Sequence, residues 1–119
     1  MPRFQRSGRR IMHRLRSVGE VREALLQPVA IIFKHSTRCP SSAAAYSQME
    51  SLLKTNPQAP VWLMDVIEDR DISTEIARNT SVRHESPQVL IVKNGLIVWH
   101  ASHYGITAEA VARELLQAG

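Results

Sequence analysis

An α/β domain built on a mixed, four-stranded sheet with helices on both faces is the fold class predicted by this sequence. Three observations carry it. "VAIIFK" and "VWLMDV" are continuous apolar runs with the character of buried strands, separated by a stretch of helical periodicity. "QVLIVKNGLIVWHA" is a pair of strand-like runs joined by Asn94 and Gly95, the strongest short-range hairpin signal. Apolar stripes at helical spacing flank these runs. Strands linked through a helix run parallel with a right-handed crossover, whereas a two-residue hairpin reverses the chain, so the sheet is mixed.

The elements follow in order. In "SVGEVREALL", Ser17 and Glu20 stand at capping-box spacing, and Val18, Val21 and Leu25 share one face of a short helix. Pro28 separates it from the first strand. The long helix after Cys39 turns Ala45, Met49, Leu52 and Leu53 inward, and Asn56 and Pro57 end it. Beyond "VWLMDV", "DISTEIAR" reads as a short helix capped by Asp71. "TAEAVARELL" closes the chain, capped by Thr107, with Ala108, Val111, Ala112 and Leu115 inward. The best-known compact solution to this order is the thioredoxin fold. In an open sheet the ligand site lies beyond the carboxyl ends of the parallel strands, and Cys39 occupies the turn that leaves the first of them.

With 119 residues the chain makes one domain, large enough to bury a core without disulfides or a structural metal. Cys39 is the sole cysteine and, with five scattered histidines, offers no zinc-ligand spacing, so no metal site is expected. A reducing, cytoplasmic setting is the default. The longest apolar run is far short of a membrane span and the first twenty residues lack a secretory core, so a soluble protein without a membrane partner is expected. The pI near 9.8 is deceptive. Arg3, Arg6, Arg9, Arg10, Arg14 and Arg16 precede any acidic residue, and the remaining nine basic residues face eleven acidic ones. Residues 1–16 therefore read as a basic arm, disordered or extended, and 17–119 as the folded domain. Nucleic acid is an unexpected partner except through that arm.

A lone cysteine is by default a small buried hydrophobe. Position argues otherwise here. Pro40 suits the first residue of a helix, which makes Cys39 the N-cap, its sulfur facing unpaired N–H groups and the positive end of the helix dipole. Arg38, Lys34 and His35 add nearby positive charge, and all of these favour thiolate, the nucleophilic form. Ser42 reads equally as an ordinary first-turn residue and as a hydroxyl donor to that thiolate.

"HSTRCPSS" resembles a thioredoxin-type active site whose second cysteine is replaced by Ser42. "FKHSTRCPSSAAAY", followed by "VRHESPQVLIVKNG", resembles the monothiol bacilliredoxin family, whose motif reads Thr-Cys-Pro-x-Ser, over residues 17–118. The resemblance implies reduction of mixed disulfides between bacillithiol and protein cysteines. Cys39 is then the attacking thiol, with Pro40 and Ser42 completing the catalytic motif. It implies no bound cofactor but bacillithiol as thiol co-substrate, bacillithiolated client proteins as partners, and bacillithiol or an external reductase for recycling. Substrate-binding positions are His35, Thr37 and Arg38 around the thiol, with Ser86 and Pro87, where the family places a cis-proline and a backbone that pairs with the bound partner. Arg38 departs from the uncharged residue expected there.

Arg83 and His84 read as contacts to an acidic ligand or as solvated loop charges. His100 and His103 read as strand and loop surface, Trp62 and Trp99 as core or sheet cover. Two other classes fit the fold. One is a non-catalytic thioredoxin-fold binding module; the other is an iron–sulfur carrier like the monothiol glutaredoxins, whose Cys-Gly-Phe-Ser motif "CPSS" does not match.

Overall fold

A computed structural model describes residues 12–118. Along the chain run β1 His13–Arg14, α1 Val18–Leu25, β2 Val29–His35, α2 Pro40–Thr55, β3 Val61–Asp65, α3 Arg70–Thr80, β4 Gln88–Lys93, β5 Leu96–Ser102, a 3-10 turn His103–Gly105 and α4 Ala108–Ala118. The sheet order is β1-β3-β2-β4-β5. β1 and β2 pair parallel to β3, while β4 runs antiparallel to β2 and β5 antiparallel to β4.

Five strands replace the four expected, and the extra one corrects the domain boundary. β1 lies inside the segment read as an arm: His13 pairs with Trp62, Arg14 with Leu63, and the Leu15 N–H donates to the Leu63 carbonyl at 2.7 Å. Leu15 is wholly buried and Arg14 bonds the Asp69 carboxylate at 2.7 Å. Residues 12–16 thus belong to the folded body. A two-residue strand has no periodicity to read, and its surrounding arginines mask the one leucine that docks it. The expectation for residues 1–11 lies outside the described residues.

The sheet separates two cores, because alternate strand residues point to opposite faces. Ile31, Phe33, Val89 and Ile91 pack with Met49, Leu52 and Leu53 of α2 and with Val111 of α4. Ile32, Trp62, Met64, Leu90 and Val92 pack with Val21 and Ala24 of α1 and with Ile72 and Ile76 of α3. Strands β2 and β4 are buried on both faces, which is why they read as unbroken apolar runs. Each such Ile or Leu contributes about 1.5–3 kcal/mol of burial. A register irregularity at Ile91/Val92 lets edge strand β5 serve both cores, Trp99 joining the first and Ile97 the second.

Local signals account for the ends. The Ser17 hydroxyl accepts from the Glu20 N–H at 3.2 Å, and the Glu20 carboxylate reaches back to the Arg16 N–H at 2.6 Å. Asn94 (φ 50°) and Gly95 (φ 82°) turn the hairpin in left-handed backbone. Asp71 is not the cap of α3: Asp69 holds that position, and its carboxylate bonds the Asp65 N–H and Arg14 instead of its own helix. The two aspartates are alike in sequence, and the docking of Arg14 decides between them.

Candidate active site at the Cys39 turn

The site starts where β2 ends. His35 closes the strand, Thr37 and Arg38 are exposed, and Cys39 sits half-exposed as the N-cap of α2 in extended backbone (φ −111°, ψ 126°), with Pro40 next. Proline starts a helix at no hydrogen-bonding cost, because a first-turn N–H has no intrahelical acceptor. Buried Ser36 and Ser42 clasp the turn: the Ser36 N–H donates to the Ser42 hydroxyl at 3.1 Å, and the Arg38 N–H to the Ser36 hydroxyl at 3.4 Å. Ser42 and Ala43 in turn donate their N–H groups to the Cys39 carbonyl at 3.0 and 3.2 Å.

Ser41 is the hydroxyl closest to the sulfur, with Oγ 3.0 Å from Sγ. Sequence reasoning had weighed Ser42 for that place. The Cys39 thiol is held below its ordinary value, first by the Ser41 hydroxyl and next by the Ser42 backbone N–H, against a smaller opposing effect of burial. The two basic residues expected beside the thiol from β2 are turned to other partners. Lys34, expected to assist, shares the α1–α3 face with Ile32, where its buried ammonium donates to Gln88 Oε1 at 3.0 Å. His35 packs between the rings of Phe33 and Tyr46, at 5.7 and 5.1 Å, and burial lowers its pKa against the pull of Asp65. Burial thus works against charge on its ring.

A shallow cavity of about 340 Å³ opens beside the thiol, lined by His35, Ser36, Thr37, Cys39, Ala43 and Tyr46. A larger one of about 600 Å³ lies between Met12, Tyr46, Glu50, Lys54 and Leu63. It holds no thiol, so the smaller is the candidate substrate site.

From the other side comes the loop before β4. The Ser86–Pro87 peptide is cis. Pairing of Gln88 with Lys34 sets Pro87 level with the end of β2. Gln88 also donates to the Arg83 carbonyl at 3.1 Å, tying the loop to the buried Lys34. The Pro87 carbonyl accepts from the His103 N–H at 3.0 Å, and His103 Nδ1 lies 3.4 Å from Ser41 Oγ, so this histidine joins the proline segment to the start of α2. Ser86 Oγ and His35 Nδ1 are buried without a hydrogen-bond partner among the described residues. Buried polar atoms of that kind are uncommon and mark places where a ligand or water supplies the missing partner.

Not every expected contact forms. His84 turns to α3, its Nδ1 3.0 Å from Ser73 Oγ, and so stands away from the thiol. His103, Ser41 and Glu85 were missed as site residues: 62 positions separate His103 from Ser41, and no spacing in the sequence relates them. Among the described residues no three His, Cys, Asp or Glu side chains gather as a metal-binding group.

A single half-exposed thiol at a helix N-cap, on this sheet and beside a cis-proline segment, defines a monothiol redox protein of the thioredoxin fold. Solved structures agree on the architecture. A thioredoxin-fold protein assigned as an oxidoreductase is 32% identical, covering 86% of this chain and 91% of its own, with a TM-score of 0.80. Thioredoxin from Trypanosoma brucei brucei (16% identical, 95% of each chain, TM-score 0.75) shares the fold. So does oxidised mitochondrial thioredoxin 3 from Saccharomyces cerevisiae (18% identical, 89% of this chain and 94% of its own, TM-score 0.69). The family model of monothiol bacilliredoxin BrxC matches residues 12–111, and the chain belongs to that family. The match takes in β1 as well as the thiol turn.

Proposed function

We propose that this protein is a monothiol thiol–disulfide oxidoreductase that removes bacillithiol from mixed disulfides on client proteins, with Cys39 accepting the bacillithiol. The observation that carries the reading is the sulfur itself. It is half-exposed at the N-cap, hydrogen-bonded at 3.0 Å and shifted toward thiolate, in a chain of the monothiol bacilliredoxin family.

The Cys39 thiolate attacks the bacillithiol sulfur of the mixed disulfide. A Cys39–sulfur bond forms as the client's sulfur–sulfur bond breaks, and the client cysteine leaves as a thiolate that takes a proton from water. Incoming backbone pairs with the extended segment at Ser86 and Pro87, while Thr37 and His35 wall the cavity and exposed Arg38 offers a cation to the ligand's carboxylates. With Ser42 in place of a second cysteine the adduct stays. A second bacillithiol thiolate, or an external reductase, then attacks the bacillithiol sulfur and frees Cys39. The reducing cytoplasm is the compartment for such a cycle. Among the described residues no helix is long and apolar enough to cross a membrane.

Intact-mass analysis after mixing with a bacillithiolated client tests this. The native protein gains one bacillithiol and the client loses one, while Cys39→Ser leaves the client modified. Clients carrying glutathione or cysteine instead set the thiol preference. Clearance by Cys39→Ser overturns the reading, and no adduct on the native chain at any pH tried overturns it in favour of a binding module.

A further inference from the structure

We propose that His103 and Glu85 are positioning residues for Cys39, acting through the Ser41 hydroxyl as a four-member proton relay. Three separate segments converge to make it. Cys39 Sγ lies 3.0 Å from Ser41 Oγ at the start of α2, and Ser41 Oγ lies 3.4 Å from His103 Nδ1 in the 3-10 turn. His103 Nε2 lies 3.6 Å from Glu85 Oε1 in the loop before β4. The other Glu85 oxygen accepts from the Ser102 hydroxyl at 3.4 Å.

The backbone is set for this contact. His103 has φ 53°, left-handed geometry that is unfavourable for a side-chain-bearing residue, and its N–H is anchored on the Pro87 carbonyl at 3.0 Å. The imidazole is thereby fixed between the proline segment and the thiol. It is half-exposed, with 49% of its side chain accessible, so one edge exchanges protons with water.

A hydroxyl has one proton and donates in one direction at a time. When Cys39 is a thiol, it donates to Ser41, and Ser41 donates to neutral His103 Nδ1. When Cys39 is a thiolate, Ser41 donates to sulfur, its lone pair accepts from His103 Nδ1–H, and the imidazolium is ion-paired with the Glu85 carboxylate. Passing from the first arrangement to the second moves one proton from sulfur to imidazole through the hydroxyl. No bond between heavy atoms changes and nothing is oxidised. The imidazolium then releases its proton to water from the exposed edge. Among the described residues, the charged and titratable groups that face His103 are Glu85 and, through Ser41, Cys39.

The inference rests on Cys39 as the reacting thiol and not on bacillithiol as its partner, so iodoacetamide tests it separately from the proposed function. Alkylation rate is measured against pH by intact mass on the full chain, with circular dichroism to verify folding. The native profile shows two inflections, the signature of a coupled pair. His103→Asn, which tolerates the left-handed backbone, gives a single inflection with its midpoint raised by about one pH unit, an approximately tenfold loss of thiolate below it. Glu85→Gln raises the midpoint less, Ser41→Ala raises it at least as much, and the Ser41→Ala/His103→Asn double variant adds nothing beyond Ser41→Ala. Tyr104→Ala, in the same turn and outside the relay, keeps the native profile. An unchanged profile in His103→Asn, or additive shifts in the double variant, overturns the proposal. Should His103→Asn unfold, an unchanged Glu85→Gln profile overturns it equally.

Discussion

Lys34 shows how one residue is turned from its expected role by its neighbours. Buried on the face opposite His35, it is lowered from its ordinary 10.5 to about 8, chiefly by burial and against the raising effect of Glu85. Below pH 8 both folded and unfolded chains hold the proton, and the full cost of burying the charge applies. Between 8 and 10.5 the unfolded state binds more protons, so stability from this group rises with pH. The gain is roughly 1–2 kcal/mol after screening. Thermal melts of Lys34→Met and the native chain across that window read it as a difference in slope, and parallel curves dismiss it. Ser42 has its own signature. Its hydroxyl is the acceptor for the buried Ser36 N–H, so Ser42→Ala costs about 1–3 kcal/mol in urea unfolding. The Ser41 contact survives in that variant, and its bacillithiol adduct still forms. Loss of the adduct with stability intact would place Ser42 in the chemistry instead.

At the scale of elements, β1 is the shortest strand and the one with most riding on it. It covers the outer edge of β3, buries Leu15, sets His13 edge-on to Trp62 at 4.6 Å and brings Arg14 to Asp69. Leu15→Ala opens a cavity in the α1–α3 core and costs about 2–5 kcal/mol. Deleting residues through Arg16 costs at least as much, because β3 loses its outer partner too. Denaturant midpoints measure both, and a deletion as stable as the full chain would return Met12–Arg16 to the basic arm. The other strands are more forgiving to read. Asn94-Gly95 fixes the hairpin locally, and the double burial of β2 and β4 writes itself as uninterrupted apolar runs.

The whole molecule carries one thiol, and that number sets the stoichiometry of its chemistry. Without added thiol, the native chain takes up one equivalent from a mixed disulfide and stops. Ser42→Cys places a second thiol three residues on, at the spacing of a dithiol site, and supplies an internal attacker. Its product is a chain two hydrogens lighter, with the small thiol set free. Mass spectrometry separates the two outcomes, and a stable adduct on Ser42→Cys would mean that the turn holds the sulfurs apart. Closure of the site is also a property of the whole, since β2, α2, the proline loop and the 3-10 turn each bring one part.

The sequence by itself determined β2 to β5, all four helices, the N-cap position of Cys39 and the family motif. Each of these is written in a window of a few residues: a periodicity, a capping pair, an Asn-Gly, a proline after a cysteine. Tertiary structure alone decided β1, whose two residues have no period. It decided that Ser41 meets the sulfur and Ser42 the Ser36 N–H, because adjacent residues on a helix point about 100° apart and only the docked helix fixes which way. It decided that Lys34 is buried away from the thiol, and that His103 and Glu85 come to it across 64 and 46 positions of chain. Local preference is encoded where it acts, whereas a contact between distant segments exists only once the sheet order has brought them together.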